Sequence, residues 1–158
     1  MKTADILDKY ESEVVVAETI GLISYGGIKS FCGQIKTVKC FEDNSLVRKC
    51  LETDGQGKIL VVDGGGSQQC ALLGDINANL ALKNHWIGLI IHGSIRDSAA
   101  IAQIPLGVLA LGTNPKKSVK RNEGQLNVIV NFAKVAFTPD YYVYVDEDGV
   151  VVSKHVLT

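Results

Sequence analysis

Two short groups in this chain have the residue types and spacing for chemistry: Gly74-Asp75-Ile76-Asn77 and Arg96-Asp97. Arginine offers a carboxylate or an enolate a planar fork of donors that never loses its charge. Aspartate suits a hard divalent cation such as Mg²⁺, which takes few protein ligands and keeps several waters or substrate oxygens. Gly74–Asn77 opens a helical pattern. The first N–H groups of a helix lack intrahelical partners and sit at the positive end of its dipole. Such a turn can therefore hold a substrate carboxylate on backbone amides. Plainer readings exist for both groups: Asp75 as the N-cap of its own helix, and Arg96-Asp97 as a surface ion pair in a loop. What favours a site is the convergence of separate segments on one place.

The elements around them predict that convergence. Ile59–Val62 and Ile87–Ile91 are apolar runs too short for independent helices and read as buried parallel strands. Between them a helix follows Asp75, carrying Leu80, Ala81 and Leu82 with His85 near its end. This is a β-α-β unit with a right-handed crossover. Parallel strands leave the sheet at the same end, so the loop Gly64–Gly66, the turn Gly74–Asn77 and the loop Ser94–Asp97 should gather along one edge. Open α/β sheets bind ligands there.

The remaining chain completes an α/β fold with a β-rich C-terminal part. Residues 3–10 predict a helix capped by Thr3 or Asp5, and Asn44 predicts the cap of a second, with Leu46, Val47, Cys50 and Leu51 on one face. Residues 33–40 are strand-like, and Gly21–Gly33 reads as loops. A short turn at Ser98–Gln103 leads to a further parallel strand in LGVLALG. The run KKSVKR reads as an exposed connection, and Leu126–Phe137 as one half-buried strand. Tyr142–Val145 and Val150–Val152 flank Asp146–Gly149 as a hairpin. With 158 residues the chain is expected to be one domain, residues 1–158, burying about 70% of its unfolded surface.

Composition narrows the function classes. A net charge of −1 with mixed signs argues against direct nucleic-acid binding, which needs a basic surface. Four scattered cysteines without CxxC fit buried thiols in a cytoplasmic protein better than zinc or disulfides. No apolar run reaches the roughly 18 residues of a membrane span, and the acidic start MKTADILDKYESE is unlike a signal peptide. The glycine loop Val61–Ser67 could approach a nucleotide or S-adenosylmethionine, but it lacks Gly-x-Gly-x-x-Gly and a Walker lysine, and a structural loop is the better reading. Among the histidines only His92 lies near the expected cleft. Ser67 and Ser94 lack the Gly-x-Ser-x-Gly context of a hydrolase.

The sequence resembles the RraA-like family, which includes regulators of ribonuclease E activity and class II 4-hydroxy-4-methyl-2-oxoglutarate aldolases. The likeness runs through GGIKSFCGQIKTVKCFEDNSLV, GKILVVDGGGS, ALLGDINANLALKNHWIGLIIHGSIRD, LNVIVNF and YVDEDGVVVS. Its most specific element is an aspartate, twenty residues, then Arg-Asp: here Asp75 and Arg96-Asp97. The resemblance implies a swivelling β/β/α fold in a homotrimer, or a dimer of trimers, with sites between subunits. It also implies retro-aldol cleavage to pyruvate dependent on Mg²⁺ or Mn²⁺, with oxaloacetate decarboxylation as a side activity. Carried over by position, Asp97 would bind the metal and Arg96 would hold the keto-acid end and steady the enolate. Asp75 would orient or deprotonate a water on the metal, and amides of Gly74, Asp75, Ile76 and Asn77 would take the carboxylate. The family's adjacent-subunit glutamate has Glu147 as its nearest counterpart by tail position. The other branch implies a different function: binding to ribonuclease E as an inhibitor, without essential catalysis.

Overall fold

The computed structural model describes residues 1–158. In chain order the helices are α1 (Thr3–Tyr10), α2 (Ser45–Leu51), α3 (Asp75–Lys83) and α4 (Ser98–Ile101). The strands are β1 (Val14–Val16), β2 (Ile23–Ser24), β3 (Phe31–Lys39), β4 (Lys58–Asp63), β5 (Ala71–Leu73) and β6 (Gly88–Ile95), followed by β7 (Gly107–Thr113), β8 (Gln125–Leu126), β9 (Val130–Phe132), β10 (Val135–Phe137), β11 (Tyr142–Asp146) and β12 (Gly149–Ser153). One mixed sheet runs β1-β12-β11-β3-β4-β6-β7-β2. Its centre, β3-β4-β6-β7, is parallel, and its flanks are antiparallel.

The parallel strands follow one another in sequence order, so right-handed crossovers put α2, α3 and α4 on the same face. The opposite face is covered by the separate β9–β10 hairpin. This explains the uninterrupted apolar runs. Leu60 and Val62 pack with Leu46, Val47 and Ala78 on the helical side, whereas Ile59 and Val61 pack with Val130, Phe132 and Phe137 on the other. Both faces of β4 are buried, so no polar alternation can develop. The three layers are a hairpin, a sheet and a row of helices.

Four local expectations need correction. Leu126–Phe137 is not one strand: it breaks at Ala133 and Lys134, both left-handed (φ 54° and 56°), into the tight β9–β10 hairpin. Asn44 precedes α2 without capping it. The carboxylate of Asp43 accepts the Ser45 N–H instead (2.9 Å), while Asn44 turns to Ser118 and Leu72. Thr3 lies inside α1, where its N–H and hydroxyl both donate to Asp146 at 2.7 Å and fasten the helix to the C-terminal hairpin. The segment between β4 and α3 also contains β5, which the sequence pattern does not reveal.

That extra strand creates the site. β4 leaves its neighbour β6 at Asp63–His92, and β5 takes its place at Ala71–Ser94. Gly64–Gly66 make the detour. Gly65 and Gly66 are left-handed (φ 68° and 76°), and a Cβ on Gly64 would meet Leu72 at 2.5 Å and the His92 carbonyl oxygen at 2.8 Å. β5 and β6 then end side by side, with Gly74 following one and Arg96 the other.

Candidate functional site

Gly74, Asp75, Ile76, Asn77, Arg96 and Asp97 all line one cavity of about 200 Å³ at these strand ends. The expected convergence is therefore present, with one exception. Gly64–Gly66 lies apart, packed by its own neighbours: a Cβ on Gly65 would fall 3.0 Å from Phe41, and one on Gly66 would fall 3.3 Å from His92. His92 is also outside the cavity, stacked on Phe132 (centroids 4.6 Å apart) with Nδ1 3.4 Å from Asp63.

The N-terminus of α3 is arranged differently from the simple cap that Asp75 suggests. Gly74 occupies the cap position, and no side chain of α3 caps it. The Asp75 N–H donates instead to Asp97 Oδ2 at 3.1 Å. The first intrahelical bond begins at Ala78, whose N–H donates to the Gly74 carbonyl (3.0 Å). The amides of Ile76 and Asn77 thus remain open at the positive end of the helix. Asp97 reaches this position because its own backbone is left-handed (φ 56°, ψ 39°). It precedes α4 but gives that helix no side-chain cap.

Gly74 keeps the centre clear. A Cβ there would lie 2.9 Å from Asp97 Oδ2 and 3.4 Å from Arg96 Nε. Arg96 is anchored through its N–H to the Leu73 carbonyl (2.9 Å), and its guanidinium reaches only the Pro115 carbonyl, at 3.5 Å. No carboxylate lies within 4 Å of it. Its charge is left for a ligand.

The sequence reading misses the opposite wall. Arg48 on α2, together with Lys117, Ser118 and Lys120 from the segment after β7, completes the cavity. The exposed connection KKSVKR is a strap tied down over the site. Ser118 is buried and exchanges hydrogen bonds with Asn44, donating to its side chain (2.8 Å) and accepting its N–H (3.1 Å). Asp43, 1% exposed, accepts the N–H groups of Arg121 (2.9 Å) and Glu123 (3.1 Å). Burial pushes the Asp43 carboxyl up, but its bonds from Ser45, Glu123 and Arg121 outweigh this and hold it at about 2. The clustered cations of residues 116–121 were the available signal. Glu147 sits on the β11–β12 turn and lines a separate cavity of about 350 Å³ with Val16, Leu22 and Leu109.

The donor set around Asp97 is all oxygen. No group of three His, Cys, Asp or Glu side chains converges anywhere in the chain. One or two carboxylates with room for other oxygens fit a hard cation that retains most of its waters, and they do not fit a zinc-type cage.

Comparison with known proteins bears on this geometry. Residues 3–152 match the family model "RraA-like", described as Aldolase/RraA. The chain belongs to the RraA-like family. A relative from Aromatoleum aromaticum named "Putative 4-hydroxy-4-methyl-2-oxoglutarate aldolase" is 54% identical over 99% of this chain and 98% of its own. A crystal structure from Geobacillus kaustophilus, described as an S-adenosylmethionine: 2-dimethylmenaquinone methyltransferase, superposes with a TM-score of 0.97 at 50% identity, covering 99% of this chain and 97% of that one. The RNA-processing inhibitor RraA from Thermus thermophilis gives 0.96 at 38% identity over 100% of this chain and 95% of that one. The α/β architecture with a parallel core is that of RraA structures. A relative from Pseudomonas syringae pv. tomato, 53% identical over 99% of this chain and 96% of its own, carries the same name, "Putative 4-hydroxy-4-methyl-2-oxoglutarate aldolase". No helix is long and apolar enough to cross a membrane.

Proposed function

We propose that this RraA-like protein is a divalent-metal-dependent aldolase that cleaves 4-hydroxy-4-methyl-2-oxoglutarate to pyruvate and decarboxylates oxaloacetate as a side reaction. The observation that carries this reading is the meeting of three features in one cavity: an unpaired guanidinium (Arg96), a carboxylate with an uncommitted oxygen (Asp97) and a helix N-terminus with open amides (Ile76, Asn77).

Both reactions need the same things. The bond between C3 and C4 breaks, its electron pair moves toward the C2 oxygen, and the pyruvate enolate that results takes a proton on C3. In the aldol substrate the C4 hydroxyl gives up its proton as C4 becomes the carbonyl of a second pyruvate. In oxaloacetate the fragment that leaves is carbon dioxide. The open amides and Gly74 hold the C1 carboxylate. Arg96 stabilises the charge developing on the C2 oxygen, without a proton to lose. Asp75, half-buried with its carboxylate free of protein donors, accepts the hydroxyl proton, directly or through a water. Mg²⁺ or Mn²⁺ held at Asp97 would add Lewis-acid charge beside the same oxygen. The homotrimer implied by the family resemblance would close the exposed side of the site, where Ile76 is 72% exposed.

The test is pyruvate release from both substrates with Mg²⁺, Mn²⁺ or EDTA, for the wild type, Asp97→Ala and Arg96→Ala. The reading expects metal-dependent turnover, abolished in Asp97→Ala and severely reduced in Arg96→Ala. Wild-type turnover in either variant would refute it. A second reading, inhibition of ribonuclease E through the outer surface, is supported by the likeness to the Thermus inhibitor. Capture of ribonuclease E that survives Asp97→Ala would support it. For a methyltransferase the glycine loop would have to receive the cofactor, yet it lacks Gly-x-Gly-x-x-Gly and lies outside the cavity that gathers Asp75, Arg96 and Asp97.

A further inference from the structure

We propose that Arg48 is the receptor for the second carboxylate of the substrate, and so sets the preference for dicarboxylic over monocarboxylic 2-oxo acids. This rests on the reading of Arg96 and the α3 amides as the receptor for the first carboxylate.

Four cations line the cavity (Arg48, Arg96, Lys117 and Lys120) against two carboxylates, Asp75 and Asp97. The surplus suits a dianion. The four are not equivalent. Lys117 and Lys120 are exposed point charges on flexible stems, which raise the local anion concentration without fixing an orientation. Arg96 belongs to the reacting end. Arg48 comes from a different element, α2, and is held in place. Its Nη1 donates at 2.9 Å to the side-chain oxygen of Asn77, a buried residue in the first turn of α3. Its other neighbour, Glu52, lies one turn along the exposed face of α2 at 3.8 Å, too loose to consume the guanidinium. Most of the fork's five donors are therefore free on a tethered group, and ordering it on binding costs little. Because Asn77 also contributes an open amide, the two carboxylate receptors meet at one turn of α3, the second reaching it from α2 through the Arg48–Asn77 bond. Their spacing is fixed by the fold.

The experiment compares Arg48→Met, Arg48→Lys and Lys49→Met in the full chain with Mg²⁺. Lys49→Met removes the same charge from the same helix but faces another cavity, beside Cys50 and Trp86. Three readouts are needed: KM and kcat for oxaloacetate, deuterium exchange into the methyl group of pyruvate, and calorimetric binding of malate against lactate. Arg48→Met should raise KM for oxaloacetate about tenfold, the scale of a charge-assisted hydrogen bond, with kcat little changed. It should leave pyruvate exchange intact and abolish the excess affinity for malate over lactate. Arg48→Lys should recover part of the loss, and Lys49→Met should match the wild type. Equal loss on oxaloacetate and pyruvate would overturn the proposal, since Arg48 would then merely brace α3 through Asn77; so would an unchanged KM. A wild type that neither decarboxylates nor exchanges removes the aldolase reading, and the malate–lactate comparison then decides Arg48 separately.

Discussion

Gly74→Ala tests whether the placement of the Asp97 carboxylate and the clear space beside it govern activity, because the added methyl displaces that group while every reacting side chain is retained. Gly74 has extended backbone angles (φ −124°, ψ −174°) that alanine adopts freely, so the obstacle is contact alone. The new Cβ would stand 2.9 Å from Asp97 Oδ2, and ordinary contact starts at 3.4 Å, so the carboxylate must withdraw by about half an ångström. The same oxygen accepts the Asp75 N–H at 3.1 Å, and the retreat takes that bond beyond useful length. Losing it costs about 1 kcal/mol, and restricting the unfolded chain returns about 0.4–1 kcal/mol. Stability should thus stay within about 1 kcal/mol of wild type. Activity should not: reacting groups must be held within about 0.5 Å, and a displacement of about 1 Å costs on the order of a hundredfold. A fall in kcat/KM of roughly ten- to a hundredfold is expected, read as metal-dependent pyruvate release coupled to NADH oxidation, with a urea unfolding free energy within about 1 kcal/mol of wild type. Wild-type kcat/KM in a folded Gly74→Ala protein would show that the Asp97 position is not what sets the rate.

Two further outcomes follow from the parts that hold the site. Asp43, lowered from 3.8 to about 2, contributes stability that is complete above pH 4 and is lost as the pH falls toward 2. Asp43→Asn should therefore cost about 2 kcal/mol at pH 7 in urea denaturation, and the gap to wild type should close in acid. Lys134→Gly relieves a left-handed residue at the exposed β9–β10 turn, where the ion pair to Glu18 at 3.6 Å contributes little. It should stabilise by about 1 kcal/mol, seen as a rise of a few degrees in Tm.

The parallel core was readable because burial on both faces writes itself into the sequence as unbroken apolar runs, in Ile59–Val62 and Ile87–Ile91 alike. The meeting of Asp75 with Arg96-Asp97 was readable for a related reason: once two strands are parallel, their following loops must share an edge. What escaped depended on contacts between distant segments. Asp75 caps nothing; its own N–H, at the start of α3, is met by Asp97, which arrives from 22 residues away. The Ala133-Lys134 turn carries none of the Asn or Gly that mark left-handed positions, and packing of Phe132 and Phe137 on the sheet imposes it instead. The strap carrying Lys117 and Lys120 reads as solvated because its anchors, Asp43 and Asn44, lie more than seventy residues earlier.

The backbone of Asp97 shows how the site trades stability for placement. A non-glycine residue in the left-handed region costs about 1 kcal/mol, least for Asp and Asn. In an extended conformation Asp97 could cap α4, the helix it precedes. Left-handed, it gives α4 no cap and delivers its carboxylate to α3, beside Gly74 and the open amides. Function then rests on a conformation that stability alone does not favour. Two substitutions separate the terms. Asp97→Ala and Asp97→Gly both remove the carboxylate and its bond to Asp75, but only glycine removes the backbone cost. Both should be inactive, and Asp97→Gly should be the more stable by about 1 kcal/mol in urea denaturation. Equal stability would mean that the chain at residue 97 relaxes once the carboxylate is gone, and that the carboxylate's contacts, rather than the strand-to-helix turn, impose the left-handed geometry.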